Sequence, residues 1–177
     1  MTTFSAVIAA CLMFAAATTT AAPVTARMSA EECKVWTREL SFADALARHD
    51  AVAFAGHLEK GAAFSAESPQ PLRGDAVIAK QWSRLVEGKS LLLSWYPTRV
   101  TIGGVADVAS SSGPALYEDL RPDAKTHYSI GGFHSVWHRG RDDVWRILFD
   151  DGIEPKAADE AEVSVFRNGR QAHCPIG

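Results

Sequence analysis

The sequence predicts an α+β domain in which one strongly curved antiparallel sheet packs against three N-terminal helices. Three observations point there. From Ser29 to Lys89, apolar residues recur at helical spacing between capping residues. From Leu91 to Asp151 the chain turns to β-branched and aromatic runs broken by Gly, Pro and Asp. Helices followed by strands segregate into two layers. The 177 residues, 47% of them hydrophobic, suffice for one sizeable core and not for two.

The first helix reads as SAEECKVWTRELSFADALARHD, with Ser29 as its cap and Glu31 and Glu32 favourable in the first turn. Val35, Trp36, Leu40, Phe42, Leu46 and neighbouring alanines give it a buried face. Asp50 can cap a second short helix, AVAFAGHLEK, stopped by Gly61. AAFSAESPQPLRG reads as irregular. Asp75 then caps a third helix, AVIAKQWSRLVEGK, which ends near Gly88. The strands are LLLSWYPTRVTI, VADVASSSGPALYEDL, KTHYSIGGFHSVWHRG and DVWRILFDD. Beyond Gly152 the tail is mixed, and Val163–Phe166 could add a short strand before the Asn168-Gly169 turn.

Residues 1–26 carry no charged side chain, and the apolar part, Phe4–Ala17, has signal-peptide length and falls short of a bilayer crossing. Cleavage after Thr19-Thr20-Ala21 or Val24-Thr25-Ala26 would start the mature chain between Ala22 and Met28. Ile8-Ala9-Ala10-Cys11 resembles a lipoprotein box but leaves almost no apolar core upstream. Export, to the periplasm or outside, would remove Cys11 and leave Cys33 and Cys174, an even pair expected to be bridged in an oxidising compartment. The expected organisation is therefore signal peptide 1–26, domain 27–152 and tail 153–177. Lys plus Arg number 18 against 21 Asp plus Glu, with no basic run to follow a phosphate backbone. No nucleic-acid partner is expected, nor a membrane span in the mature chain.

A family resemblance rests on the order of several weak features. A strand ends in Trp95-Tyr96-Pro97; a turn with Asp107 and a strand with Gly113 follow; then come "GGFHSVWHR", a polar turn and "VWRILFD" ending in Asp150. Upstream stand two helices around Asp50, then Pro71, Gly74 and Ile78. From Cys33 to Asp151 this resembles the nuclear transport factor 2-like superfamily, and within it the SnoaL-like, ketosteroid-isomerase-like domains of unknown function of the DUF4440 type. Lys60-Gly61 and the Gly140-Arg141-Asp142-Asp143 turn depart from the usual pattern. The resemblance implies a cone: a curved sheet closed by helices around an apolar pocket, often a homodimer through the sheet's outer face. Such folds host isomerases, dehydratases, cyclases and pure binding modules, so function must come from the site.

Metal chemistry finds no support, and no cofactor is expected. His134 and His138 share a strand face but stand roughly 13 Å apart at about 3.3 Å per residue. There is no nucleophile elbow, and Ser135 points away from His134 on the same strand. Gly103-Gly104 and Gly131-Gly132 lack the strand-to-helix context of a phosphate loop. Arg73-Gly74-Asp75 is accounted for by a helix start.

Acid–base chemistry in an apolar cavity is the enzyme reading, because desolvation drives a carboxyl pKa toward neutrality. Its candidates are Asp150, His134, His127, Tyr117 and His57, with Asp150 or His134 as the general base. Trp95, Tyr117, His134, Trp137 and Asp150 are the expected ligand-binding set. Symmetric pairing about residues 141 and 142 sets His134 opposite Phe149 and Ser135 opposite Leu148. Phe133, Ser135, Trp137 and Asp150 then share one face, and His134, Val136, Trp145, Ile147 and Phe149 the other. A bulge at the turn would shift the register by one and exchange partners. Asp150 is the base if the Phe133 face looks inward, His134 if the other does. A cavity between sheet and helices is expected because alanines on the helices face large aromatics on the strands.

Three functions follow: a small-molecule-binding protein with an apolar cavity, an isomerase, dehydratase or cyclase, or a non-catalytic interaction module. A cavity with one desolvated ionisable group beside an aromatic wall favours the enzyme. A cavity filled by side chains favours the interaction module.

Overall fold

The computed structural model describes residues 28–175. The expected signal segment and its cleavage sites lie outside the described residues. Helix α1 (Ala30–Ala47) starts at Ser29 with a capping box: Glu32 N donates to Ser29 Oγ at 3.2 Å, and Ser29 N donates to Glu32 Oε2 at 2.8 Å. Its buried face is Val35, Trp36, Glu39, Leu40, Phe42, Ala43, Ala45 and Leu46. Large side chains dominate that face, so the expected contrast of small helix residues against large strand residues is not what leaves space.

Helix α2 is only Ala51–Ala55, capped by Asp50, which accepts from Ala53 N at 2.9 Å. Gly56 closes it, and the chain leaves directly as strand β1 (Leu58–Phe64). The expected longer helix to Lys60 and the irregular reading of Ala62–Phe64 are thus corrected. Leu58, Ala62, Ala63 and Phe64 are buried, and Gly61 extends the strand. Strand β2 (Leu72–Arg73) pairs with β1. Helix α3 (Asp75–Glu87) takes Gly74 as its N-cap with no side-chain cap hydrogen bond, so Asp75 is its first residue and not the expected cap. It ends at Gly88, whose left-handed φ of 63° is the usual glycine stop.

Strands β3 (Leu91–Trp95) and β4 (Arg99–Ile102) both pair with β5 (Val108–Asp119), β3 with its second half and β4 with its first. Gly113 sits at the changeover, where a Cβ would lie 2.0 Å from the Tyr96 carbonyl oxygen. Strands β6 (Tyr128–Arg139) and β7 (Trp145–Ala157) complete the curved sheet, in the order β2-β1-β7-β6-β5-β3 with β4 beside β5. Pairing is antiparallel except between β1 and β7, which run parallel and make the sheet mixed. Strand β7 continues past Gly152 to Ala157, beyond the expected domain end.

The tail forms helix α4 (Glu160–Gly169), not a strand. Asp159 and Glu162 make a second capping box, and Val163 and Phe166 bury its inner face. Phe166 packs on Tyr96 at 5.0 Å between ring centroids. A disulfide joins Cys33 on α1 to Cys174, as the cysteine count predicts. No helix among the described residues is long and apolar enough to cross a membrane.

Candidate functional site

The β6–β7 register decides which side chains face inward. Asp143 takes a left-handed φ of 60° in the turn, so Arg139 pairs with Trp145. A bulge at Leu148 then makes Trp137 pair with Ile147 but Val136 with Phe149. One extra residue reverses the alternation. Trp145 and Ile147 face the core, Phe149 is exposed, and Asp150 turns inward beside Ser135. Symmetric pairing had put His134 opposite Phe149; its partner is Asp151. Phe133, Ser135, Trp137 and Asp150 do share a face, and it is the inner one.

Between that face and the helices lies a cavity of about 200 Å³. Helices α1 and α3 contribute Phe42 and Trp82, β1 contributes Phe64 with Ser65 just after it, and β3 contributes Leu93 and Trp95. The rest of the wall is Ala115 and Tyr117 of β5, Gly132 and Phe133 of β6, and Asp150 and Gly152 of β7. A Cβ on Gly152 would come within 3.7 Å of the Tyr117 hydroxyl, so the bare glycine keeps the wall between Asp150 and Tyr117 open.

Asp150 is the charged residue of this wall. Its backbone is pinned by Ser65 N donating to its carbonyl at 2.9 Å. Its Oδ2 accepts from the Ser135 hydroxyl at 2.7 Å, and Oδ1 has no donor among the described residues. Desolvation pushes its pKa up to about 7, with a smaller rise from the nearby Glu39 and Asp151 charges; the Ser135 hydrogen bond opposes both. Burial, and Asp150 itself, push the Tyr117 hydroxyl up as well.

Behind the wall lies an acid that the sequence reading missed. Glu39 of α1 is fully buried. Trp95 Nε1 donates to its Oε1 at 2.7 Å, Trp137 Nε1 to its Oε2 at 2.8 Å, and the Ser111 hydroxyl also donates to Oε2. Burial raises its pKa, while Ser111, Trp95, Trp137 and Ser135 pull it back. A signal was present: a glutamate three residues after Trp36 and three before Phe42, on the apolar stripe of an amphipathic helix.

Of the expected ligand-binding set, Trp95, Tyr117 and Asp150 line the cavity. Trp137 does not; it is completely buried behind the wall, holding Glu39. His134 is exposed on the outer face, sharing a hydrogen bond with Ser110 Oγ at 3.0 Å, so the general-base reading of His134 is withdrawn. His127 is exposed and bonds the Asp119 carbonyl oxygen at 3.0 Å. His57 is buried between Ser41 Oγ and the Ala53 carbonyl, and desolvation with the Arg38 charge lowers its pKa to about 4. It is a neutral core group away from the cavity wall. Among the described residues, no three His, Cys, Asp or Glu side chains converge as metal ligands.

No family model matches the chain, and no curated protein matches it significantly. Solved structures do. A ketosteroid isomerase-like protein from Erwinia carotovora atroseptica superposes with a TM-score of 0.57 at 12% identity, over 70% of this chain and 96% of that one. An NTF2-like protein of unknown function from Pseudomonas putida gives 0.59 at 11% identity, over 76% and 97%. An NTF2-like protein with a cystatin-like fold from Novosphingobium aromaticivorans gives 0.51 at 14%, over 76% and 88%. The helix-closed curved sheet and its likeness to these structures agree: the chain has the nuclear transport factor 2-like fold.

Proposed function

We propose that this protein binds a small, largely apolar molecule between the sheet and the helices, with Asp150 addressing its polar end. The observation that carries this is an aromatic-walled cavity of about 200 Å³ with a single charged group in its wall. A cavity closed off by its own side chains would have favoured a purely structural module. The test is calorimetric titration of the parent and of Gly152→Val with a panel of small ring compounds. The valine fills space next to Tyr117 without a backbone collision. Binding by the parent and its loss in a folded Gly152→Val protein is the expected result; equal binding by both would place the ligand elsewhere.

A second reading, acid–base turnover of the isomerase, dehydratase or cyclase type, is favoured by the pKa of Asp150, raised to about 7. That is a working range for a general base, and one similar structure is described as ketosteroid isomerase-like. Turnover by the parent and a loss of about a hundredfold or more in Asp150→Asn, with binding retained, is the outcome that reading requires.

Export and self-association complete the proposal. The Cys33–Cys174 bridge supports an oxidising compartment. Mass spectrometry of the exported fraction should find a first residue between Ala22 and Met28; intact Met1 would refute it. Exposed Phe149 and Ile153 on the sheet's outer face support a homodimer, which light scattering at micromolar concentration checks.

A further inference from the structure

We propose that the molecule bound in this cavity carries a positive charge: a small hydrophobic amine, its ring against the aromatic wall and its ammonium group on Asp150. The inference rests on the binding function above and narrows it to a chemical class.

Four features converge on it. Every ionisable side chain of the wall is acidic: Asp150 and the phenol of Tyr117, with no Lys, Arg or His among the lining residues. Asp150 Oδ1 lacks a donor among the described residues, while Oδ2 is held by Ser135, so the carboxylate is oriented with one oxygen free for an N–H. A second buried acid, Glu39, stands behind the wall and adds to the negative potential there. Finally, Phe42, Phe64, Trp82, Trp95 and Phe133 surround the space, and aromatic quadrupoles attract a cation.

Charge in a low-dielectric cavity decides between ligand classes. An anion would meet two buried acids with no cation to neutralise it, and a neutral ligand could take a hydrogen bond from protonated Asp150 but would leave its ionised form without a counter-charge. An ammonium offsets its own desolvation against a carboxylate that is already desolvated. The groups facing Asp150 from the packed elements are Glu39 on α1, Tyr117 on β5, Ser135 on β6, Ser65 after β1 and Asp151 on β7. None of them supplies a cation. The ligand supplies it, and in doing so displaces the proton that Asp150 holds near neutral pH.

The test is isothermal titration of the oxidised protein with three probes of one shape: phenethylamine, phenethyl alcohol and phenylacetate. The amine should bind about tenfold or more tighter than the alcohol, with phenylacetate weakest. Because Asp150 ionises near 7, amine affinity should rise about tenfold from pH 6 to pH 8, while that of the alcohol stays flat. At pH 7 the binding heat should change with the ionisation enthalpy of the buffer, reporting proton release. Asp150→Asn should reduce the amine to the affinity of the alcohol. If that variant does not fold, the pH dependence of the parent decides alone. Alcohol or phenylacetate binding as tightly as the amine would overturn the charge assignment and leave the cavity-binding function standing. If none of the three bound, both would fall.

Discussion

Asp150→Asn should stabilise this protein, and increasingly so as the pH rises. The carboxyl has an ordinary pKa of 3.8, and desolvation lifts it to about 7 in the folded protein. As pH rises the unfolded chain therefore loses this proton first, and stability falls between those two values. Below the lower one the effect is absent; above the upper one it is complete. Between pH 5 and pH 7 the slope of 1.36 kcal/mol per unit gives an upper bound of roughly 3 kcal/mol. The carboxyl opens onto the cavity, and screening by water there reduces this to roughly 1–2 kcal/mol. The Asn carbonyl can still accept from Ser135, and Glu39 is common to both proteins, so the difference between parent and variant reports Asp150 together with its smaller coupling to Glu39. Urea unfolding followed by tryptophan fluorescence at pH 5 and pH 8 measures it, in the oxidised state and with equal m values. A parent–variant difference identical at the two pH values would refute the claim that the Asp150 charge is desolvated.

Thiol titration of the denatured, unreduced mature protein should find no free cysteine. Cys33→Ser with Cys174→Ser should cost up to roughly 5 kcal/mol, because the bridge spans a separation of 141 residues. Gly113→Ala should cost about 3 kcal/mol in urea unfolding, since the Tyr96 carbonyl it meets is backbone and has no rotamer to change. His134→Gln should change stability by less than about 0.5 kcal/mol and leave ligand affinity at the parent value. A loss of affinity there would bring the outer sheet face into the site.

The helices were largely legible because their signals are local. Ser29 with Glu32 and Gly88 each mark an end by hydrogen-bonding chemistry within one turn, while Asp75 marks the start of α3 only as an acid in its first turn. The second helix was overread: Ala51–Lys60 suits a helix by composition, but Leu58–Phe64 is claimed by β7, a partner distant in sequence. Tertiary pairing overrode propensity. The tail was misread in the opposite direction, although Asp159 and Glu162 form the same capping pattern as Ser29 and Glu32.

Asp150 and Trp95 could be named from sequence as cavity residues, but not the face on which the hairpin closes. That depends on the single extra residue at Leu148, and bulges have no sharp sequence signature. Glu39 stands in the sequence among the other charged residues of an amphipathic helix. Its meaning comes from Ser111, Trp95 and Trp137, three residues on three strands that only the folded sheet assembles.

The parallel contact between β1 and β7 also dictates an order of events. Leu58 pairs with Ile147 and Phe64 with Asp150, so an inner strand of the sheet, made early, has no long neighbour until the last strand exists. The β5–β6 and β6–β7 hairpins can form by short loop closures, whereas docking β1 must close most of the chain into a ring. Folding should therefore be slow for a domain of this size, with the meander forming first. Until β7 arrives, the strand Leu58–Phe64 has an open edge through which one unfinished copy can pair with another. Asp150 completes that edge, so the candidate site is among the last parts of the molecule to come into being.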